Sequence, residues 1–123
     1  MKRIFPVVLW LVVSTCAQAQ AEELGKVTYQ MACSNCHAPS LAKGMGAPAA
    51  FDKKAWKARF KTAKIEAKNN PQRYNTPLDY LLTSVINGKN LMHHGGLCHE
   101  STVHSKNCTK KAYVEAIRYM SGQ

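Results

Sequence analysis

The sequence predicts a small all-α domain of four modest helices joined by long loops. Three observations carry that prediction. The period-two alternation that strands need is essentially absent. Apolar residues recur instead at helical spacing in four segments, separated by polar stretches punctuated with glycine and proline. The chain has 123 residues, enough for one domain. Its connections are too long for a simple bundle, so something central must organise them.

The first 19 residues read as a segment apart. Lys2 and Arg3 precede an apolar run over residues 4–13, broken by Pro6, and small or polar residues follow from Ser14. This is the layout of a secretory signal peptide, with cleavage after Ala19, or after Ala21 as the alternative. The run is too short for a stable membrane span. Lipid attachment at Cys16 is a weaker reading, because Val13-Ser14-Thr15 matches that motif poorly. The remaining domain, residues 20–123, holds Cys33, Cys36, Cys98 and Cys108 and is expected outside the cytoplasm, in the periplasm.

The first helix is expected over about residues 22–34. Glu22 and Glu23 favour its positive end, and Leu24, Val27 and Met31 share a face. A loop over residues 38–51 contains Pro39, Gly44, Gly46 and Pro48. Asp52 caps a second helix carrying Trp56 and Phe60 four residues apart. Residues 67–75 are polar, contain Pro71 and read as a surface loop or insertion. Thr76, Pro77 and Asp79 form the start of a third helix with Leu78, Leu81, Leu82, Val85 and Ile86 as its stripe and Gly88 as its stop. Residues 89–107 lack periodicity. Thr109 caps a last helix expected to bury Val114, Ile117 and Met120.

Removing Lys2 and Arg3 from the 17 lysines and arginines leaves 15 against 7 acids, about +8. Such a charge serves solubility, or steering toward acidic partners. Nucleic acid is not an expected partner, since no recognition motif for it occurs.

Cys33-Ser34-Asn35-Cys36-His37 is the C-x-x-C-H signature of covalent c-type haem attachment. Two thiols at this spacing reach the two vinyl groups on one porphyrin edge, and the adjacent imidazole faces the iron. Two other chemistries compete for the cysteines. A C-x-x-C redox motif needs a βαβ setting, and a zinc site would have to draw on distant His or Cys residues.

Further residues carry a resemblance. Gly25 and Tyr29 before the motif, then Gly46-Ala47-Pro48, Asp52, Trp56 and Arg59, Asn87-Gly88-Lys89, Met92, Gly95-Gly96 and the final Ala116-Ile117-Arg118-Tyr119-Met120 resemble a class I c-type cytochrome. Within that class the chain is similar to the cytochrome c5 group of bacterial periplasmic proteins. The likeness covers roughly residues 25–120. It implies a cytochrome c-like fold of four or five helices wrapped around one haem. It also implies a Cys98–Cys108 disulfide, and haem surroundings that include Pro48, Trp56 and Arg59. Pro48 is expected to offer a backbone carbonyl to His37, and Trp56 and Arg59 to approach the propionates. Gly25 is expected to let the first helix approach Tyr119 or Tyr113. The chain departs from the group in residues 67–75, in His93 and His94 where prolines are usual, and in a wide cysteine pair enclosing His99 and His104.

His37 supplies one axial ligand to the iron. Met31 and Met120 lie on apolar faces, and Met45 is close to His37 in sequence, so Met92 is the expected sixth ligand. His93 and His94 are its rivals, and the choice between thioether and imidazole sets the redox character.

No nucleophile–base pair, paired carboxylates or phosphate loop is recognisable, so an enzyme is not expected. The expected function is a monomeric periplasmic electron carrier that docks on acidic redox proteins, an oxidoreductase or an oxidase among them. The alternatives are a haem-bearing subunit of a periplasmic oxidoreductase complex, or a ligand-binding haem sensor.

Overall fold

The computed structural model describes residues 7–100 and 108–123, with side chains from residue 15 onward. Lys2, Arg3 and His104 lie outside the described residues. Among these residues the chain is helical and contains no strand, apart from one isolated bridge between Lys89 and Met92. The helices are α1 (Val7–Thr28), α2 (Ser34–His37), α3 (Ala42–Met45), α4 (Lys53–Asn69), α5 (Pro77–Asn87) and α6 (Lys110–Ser121). A π-helical turn, Tyr29–Cys33, joins α1 to α2.

Three helix starts follow from local hydrogen bonds between a cap side chain and a nearby amide. Asp52 accepts from the Ala55 amide at 3.0 Å, and Thr109 accepts from the Ala112 amide at 3.1 Å. Thr76 and Asp79 form a reciprocal capping box, with Pro77 in the first turn. Gly88 ends α5 at φ 75°, as its sequence position predicts.

The first helix differs from expectation. It begins upstream, because no glycine or proline stops it between Val7 and Leu24. Its packed face is also shifted from Leu24, Val27 and Met31: Met31 packs against the core and Leu24 is half-buried, but the face is not centred on them. Val27 is exposed, and Gly25, Thr28, Tyr29 and Ala32 are buried instead. The packing against α6 explains this. A Cβ at Gly25 would collide with the Glu115 carbonyl oxygen and lie 3.1 Å from Tyr119 Cβ. The two backbones cross at that glycine, and only the face containing it can turn inward.

In the expected insertion, α4 continues through Asn69 before the chain turns at residues 70–73. Tyr74 then folds inward, buried, with its ring 5.3 Å from that of Tyr80. In α6, Ile117 and Met120 are buried and Val114 half-buried.

One core cluster joins Tyr29, Ala50, Trp56, Ile117 and Met120, and a second joins Ala32, Cys98 and Tyr113. The apolar stripe of α5 contributes to both, yet none of its residues is fully buried. Leu81 and Val85 face an open cleft. Cys98 and Cys108 form a disulfide, which ties the segment after α5 to the start of α6. No helix among the described residues is long and apolar enough to cross a membrane.

Candidate functional site

The cleft lies between the α2 region, the loop before α4, α5 and the turn after α5. The π turn delivers Cys33 to it, with the Ser34 amide reaching back to the Tyr29 carbonyl. Such turns insert one extra residue into a helix and recur at functional sites. Cys33, Cys36 and His37 all line the cleft, and neither cysteine is in a disulfide. Burial, with the neighbouring Cys36 adding to it, pushes the Cys33 thiol up to about 12.

His37 is held from two sides. Its Nδ1 lies 2.8 Å from the Pro48 carbonyl oxygen, so Nδ1 carries the proton and Nε2 keeps a free lone pair. Its own carbonyl accepts from the Ala50 amide at 2.7 Å. The Trp56 ring stacks at 6.1 Å and 26°. Burial and the Arg59 charge lower the pKa of His37, against an opposing push from the Pro48 hydrogen bond. The imidazole is therefore neutral near pH 7, the form that ligates a metal.

One short stretch organises this side of the cleft. The Pro48 carbonyl accepts from His37 Nδ1–H, the Ala49 carbonyl accepts from the Trp56 indole at 2.9 Å, and the Phe51 amide donates to the Met120 carbonyl at 2.7 Å. The side-chain N–H of Trp56 is thus committed within the chain. Trp56 is buried and lines the cleft. Arg59 also lines the cleft and gives one N–H to the Gly46 carbonyl at 3.1 Å, which leaves most of its donors free at the rim.

Met92 also lines this cleft. Lys89 and Met92 exchange backbone hydrogen bonds of 3.0 and 2.9 Å around a tight turn with Asn90 at φ 55°. The turn is fastened behind. The Gly95 amide donates to Val85 at 2.7 Å, and the Leu97 amide donates to Ala32 at 2.9 Å. A Cβ at Gly88 would lie 2.8 Å from the Met92 carbonyl oxygen, and one at Gly96 would strike that of Ala32. His93 reaches the cleft rim but is exposed, with Nδ1 3.3 Å from Glu100. His94 is exposed and does not line this cleft.

The walls are otherwise mainly apolar, including Leu81, Val85, Leu97 and Ile117. Two thiols, a neutral imidazole and a thioether around apolar walls suit a porphyrin, whose macrocycle is flat and apolar and whose iron takes axial nitrogen and sulfur. The competing chemistries fare worse. Among the described residues no group of three or more His, Cys, Asp or Glu could hold a metal ion, and no strand provides a βαβ setting.

Residues 20–120 match the family of cytochrome c oxidase, cbb3-type, subunit III. The chain belongs to that family. It is a class I c-type cytochrome-like domain, and its chemistry is haem-based electron transfer with a c-type haem iron. No curated protein and no solved structure matches it.

Sequence reasoning had identified Cys33, Cys36, His37, Pro48, Trp56, Arg59 and Met92, and all of these line one cleft. It did not find Thr62, Leu81, Ser84, Val85, Leu91 and Leu97, which line it too. The α5 stripe reads identically for a core face and a cleft face, so only the placement of α5 separates the two.

Proposed function

We propose that this cytochrome domain is a periplasmic electron carrier holding one haem covalently through Cys33 and Cys36, with His37 and Met92 as axial ligands. The observation that carries this reading is the convergence of these four side chains on one apolar cleft, with His37 Nδ1 committed to Pro48. When bound, the haem supplies a one-electron ferric/ferrous couple. The protein's residues hold the imidazole in one tautomer, keep water from the iron and offer a thioether that favours the ferrous state. The half-buried placement of Met92 and the fastened turn behind it favour this residue over the exposed His93 and His94.

Export is supported by Lys2 and Arg3 before the apolar run and by a family match that begins at residue 20. The Cys98–Cys108 disulfide fits an oxidising compartment. Cleavage after Ala19 keeps the part of α1 that packs through Gly25. The family description supports an oxidase or oxidoreductase as the redox partner. Acidic docking surfaces on that partner would make electron transfer slow as salt rises.

The test is spectroscopic. Met92→Ala should abolish the ferric sulfur-to-iron charge-transfer band and open the ferrous protein to carbon monoxide, while His93→Ala and His94→Ala leave both unchanged. A band that survives Met92→Ala refutes the ligand assignment. Haem that leaves the denatured chain in acidified solvent refutes the covalent attachment.

A further inference from the structure

Helix α4 carries a surface that the redox site does not use. Lys53, Lys57, Lys61, Lys64 and Lys68 are all exposed. At 3.6 residues per turn they fall within an arc of about 80° and run about 22 Å along the axis. Lys54 borders the row. Arg59 and Thr62, which line the cleft, sit on nearly the opposite side of the helix, and Trp56, which lines it too, sits about 100° from the middle of the row.

Nothing neutralises this row. Neither ion pair among the described residues involves α4, whose single acid is the half-buried Glu66. Residues 1–14 and 101–107 contain no Asp or Glu that could cover it. Lysines three and four apart repel one another, and Lys53 and Lys54 oppose the helix dipole. The row therefore costs helix stability in the free protein, and an anionic surface relieves that cost.

We infer that the lysine row of α4 is a docking face for an anionic lipid surface, separate from the mouth of the redox cleft. The composition favours lipid over protein. Protein interfaces are depleted in lysine and enriched in aromatic residues and methionine. On α4, Trp56 is buried and Phe60 half-buried, so the row holds no exposed aromatic. The cleft mouth, by contrast, exposes Met45 and Leu91. A straight row with a lysine at each turn suits a plane of mobile headgroups and needs no specific complementary shape. Ile65, 51% exposed beside the row, can enter the interfacial layer. Held by this face, the domain keeps its cleft free for a redox partner. The inference does not depend on which residue is the sixth iron ligand.

The test is co-sedimentation of the haem-loaded protein with vesicles of phosphatidylglycerol and phosphatidylcholine at low salt. Binding should require phosphatidylglycerol and disappear in high salt. A lysine near an anionic surface contributes about a fivefold change in partitioning, so Lys57→Gln, Lys61→Gln and Lys64→Gln together should lower it roughly a hundredfold. The control triple Lys26→Gln, Lys110→Gln and Lys111→Gln removes the same charge elsewhere and should change it less than about fivefold. An unchanged absorption spectrum and helical dichroism establish that each variant is folded. Equal losses in the two triples would mean general charge attraction and overturn the assignment. So would a native protein that ignores the anionic vesicles. A Lys57, Lys61 and Lys64 triple that loses affinity for a protein partner while keeping vesicle binding would make the face a protein interface, and that also overturns it.

Discussion

Gly25→Ala is expected to destabilise the protein even though alanine is the better helix former. Two effects oppose each other. Helix propensity favours alanine by about 0.8–1 kcal/mol. Against this, the added Cβ would collide with the Glu115 carbonyl oxygen, lie 2.9 Å from the Glu115 carbonyl carbon and 3.1 Å from Tyr119 Cβ. Relaxed carbon–carbon contacts need about 3.5–4.0 Å, so α1 and α6 must part by several tenths of an ångström. Overpacking costs about 1–3 kcal/mol, and the obstacle here is backbone that cannot rotate away, which places the cost near the top of that range. The net loss is about 2 kcal/mol, or about 8–16 °C in Tm for a domain near 100 residues. Urea titration followed by circular dichroism and haem absorption measures it, with the midpoint falling and the slope unchanged. Gly44→Ala is the matched control, because nothing lies within 4 Å of its added Cβ, and it should be neutral or stabilising. A Gly25→Ala protein as stable as the native one would refute the close crossing of α1 and α6.

Three further outcomes are expected. Thr28 is 1% exposed and its hydroxyl has no hydrogen-bond partner among the described residues, so isosteric Thr28→Val should raise stability by about 1 kcal/mol in the same titration. A loss would reveal a bond to this hydroxyl. Tyr74→Ala should cost about 3 kcal/mol, because it removes a buried ring packed on Tyr80, whereas truncating the exposed Gln72 should have little effect. Equal effects would mean that the insertion is not anchored. Acid should destabilise the protein through His37. Burial lowers its folded pKa below the ordinary 6.5, so the unfolded chain binds the extra proton and stability falls as pH drops through and below about 6.5. A His37→Gln protein should lose that part of the slope, and an unchanged slope would assign it elsewhere.

Much of this molecule is written in short-range chemistry. The Asp52, Thr76 and Thr109 caps each join a side chain to an amide three residues on, so adjacent residues suffice to specify them. The C-x-x-C-H motif is local as well, which is why covalent attachment is legible without a fold. Resemblance along the chain added Pro48 and Met92, two residues that local patterning alone would not have brought to the site.

What stayed hidden depends on partners distant in the chain. Val27 and Thr28 are equally helical, but the crossing at Gly25 turns Thr28 inward and leaves Val27 in water. The π turn shifts the register that delivers Cys33, and no residue type announces it. Arg59 reaches the Gly46 carbonyl across 13 positions, and polar residues 67–75 acquire an anchor because Tyr80 lies beneath Tyr74. The sequence by itself determined the starts of α4, α5 and α6 and the chemistry of attachment, because hydrogen bonds and covalent reach act over a few residues. Only the tertiary structure decided which apolar stripe is core and which is cleft wall, because that depends on what packs against each face.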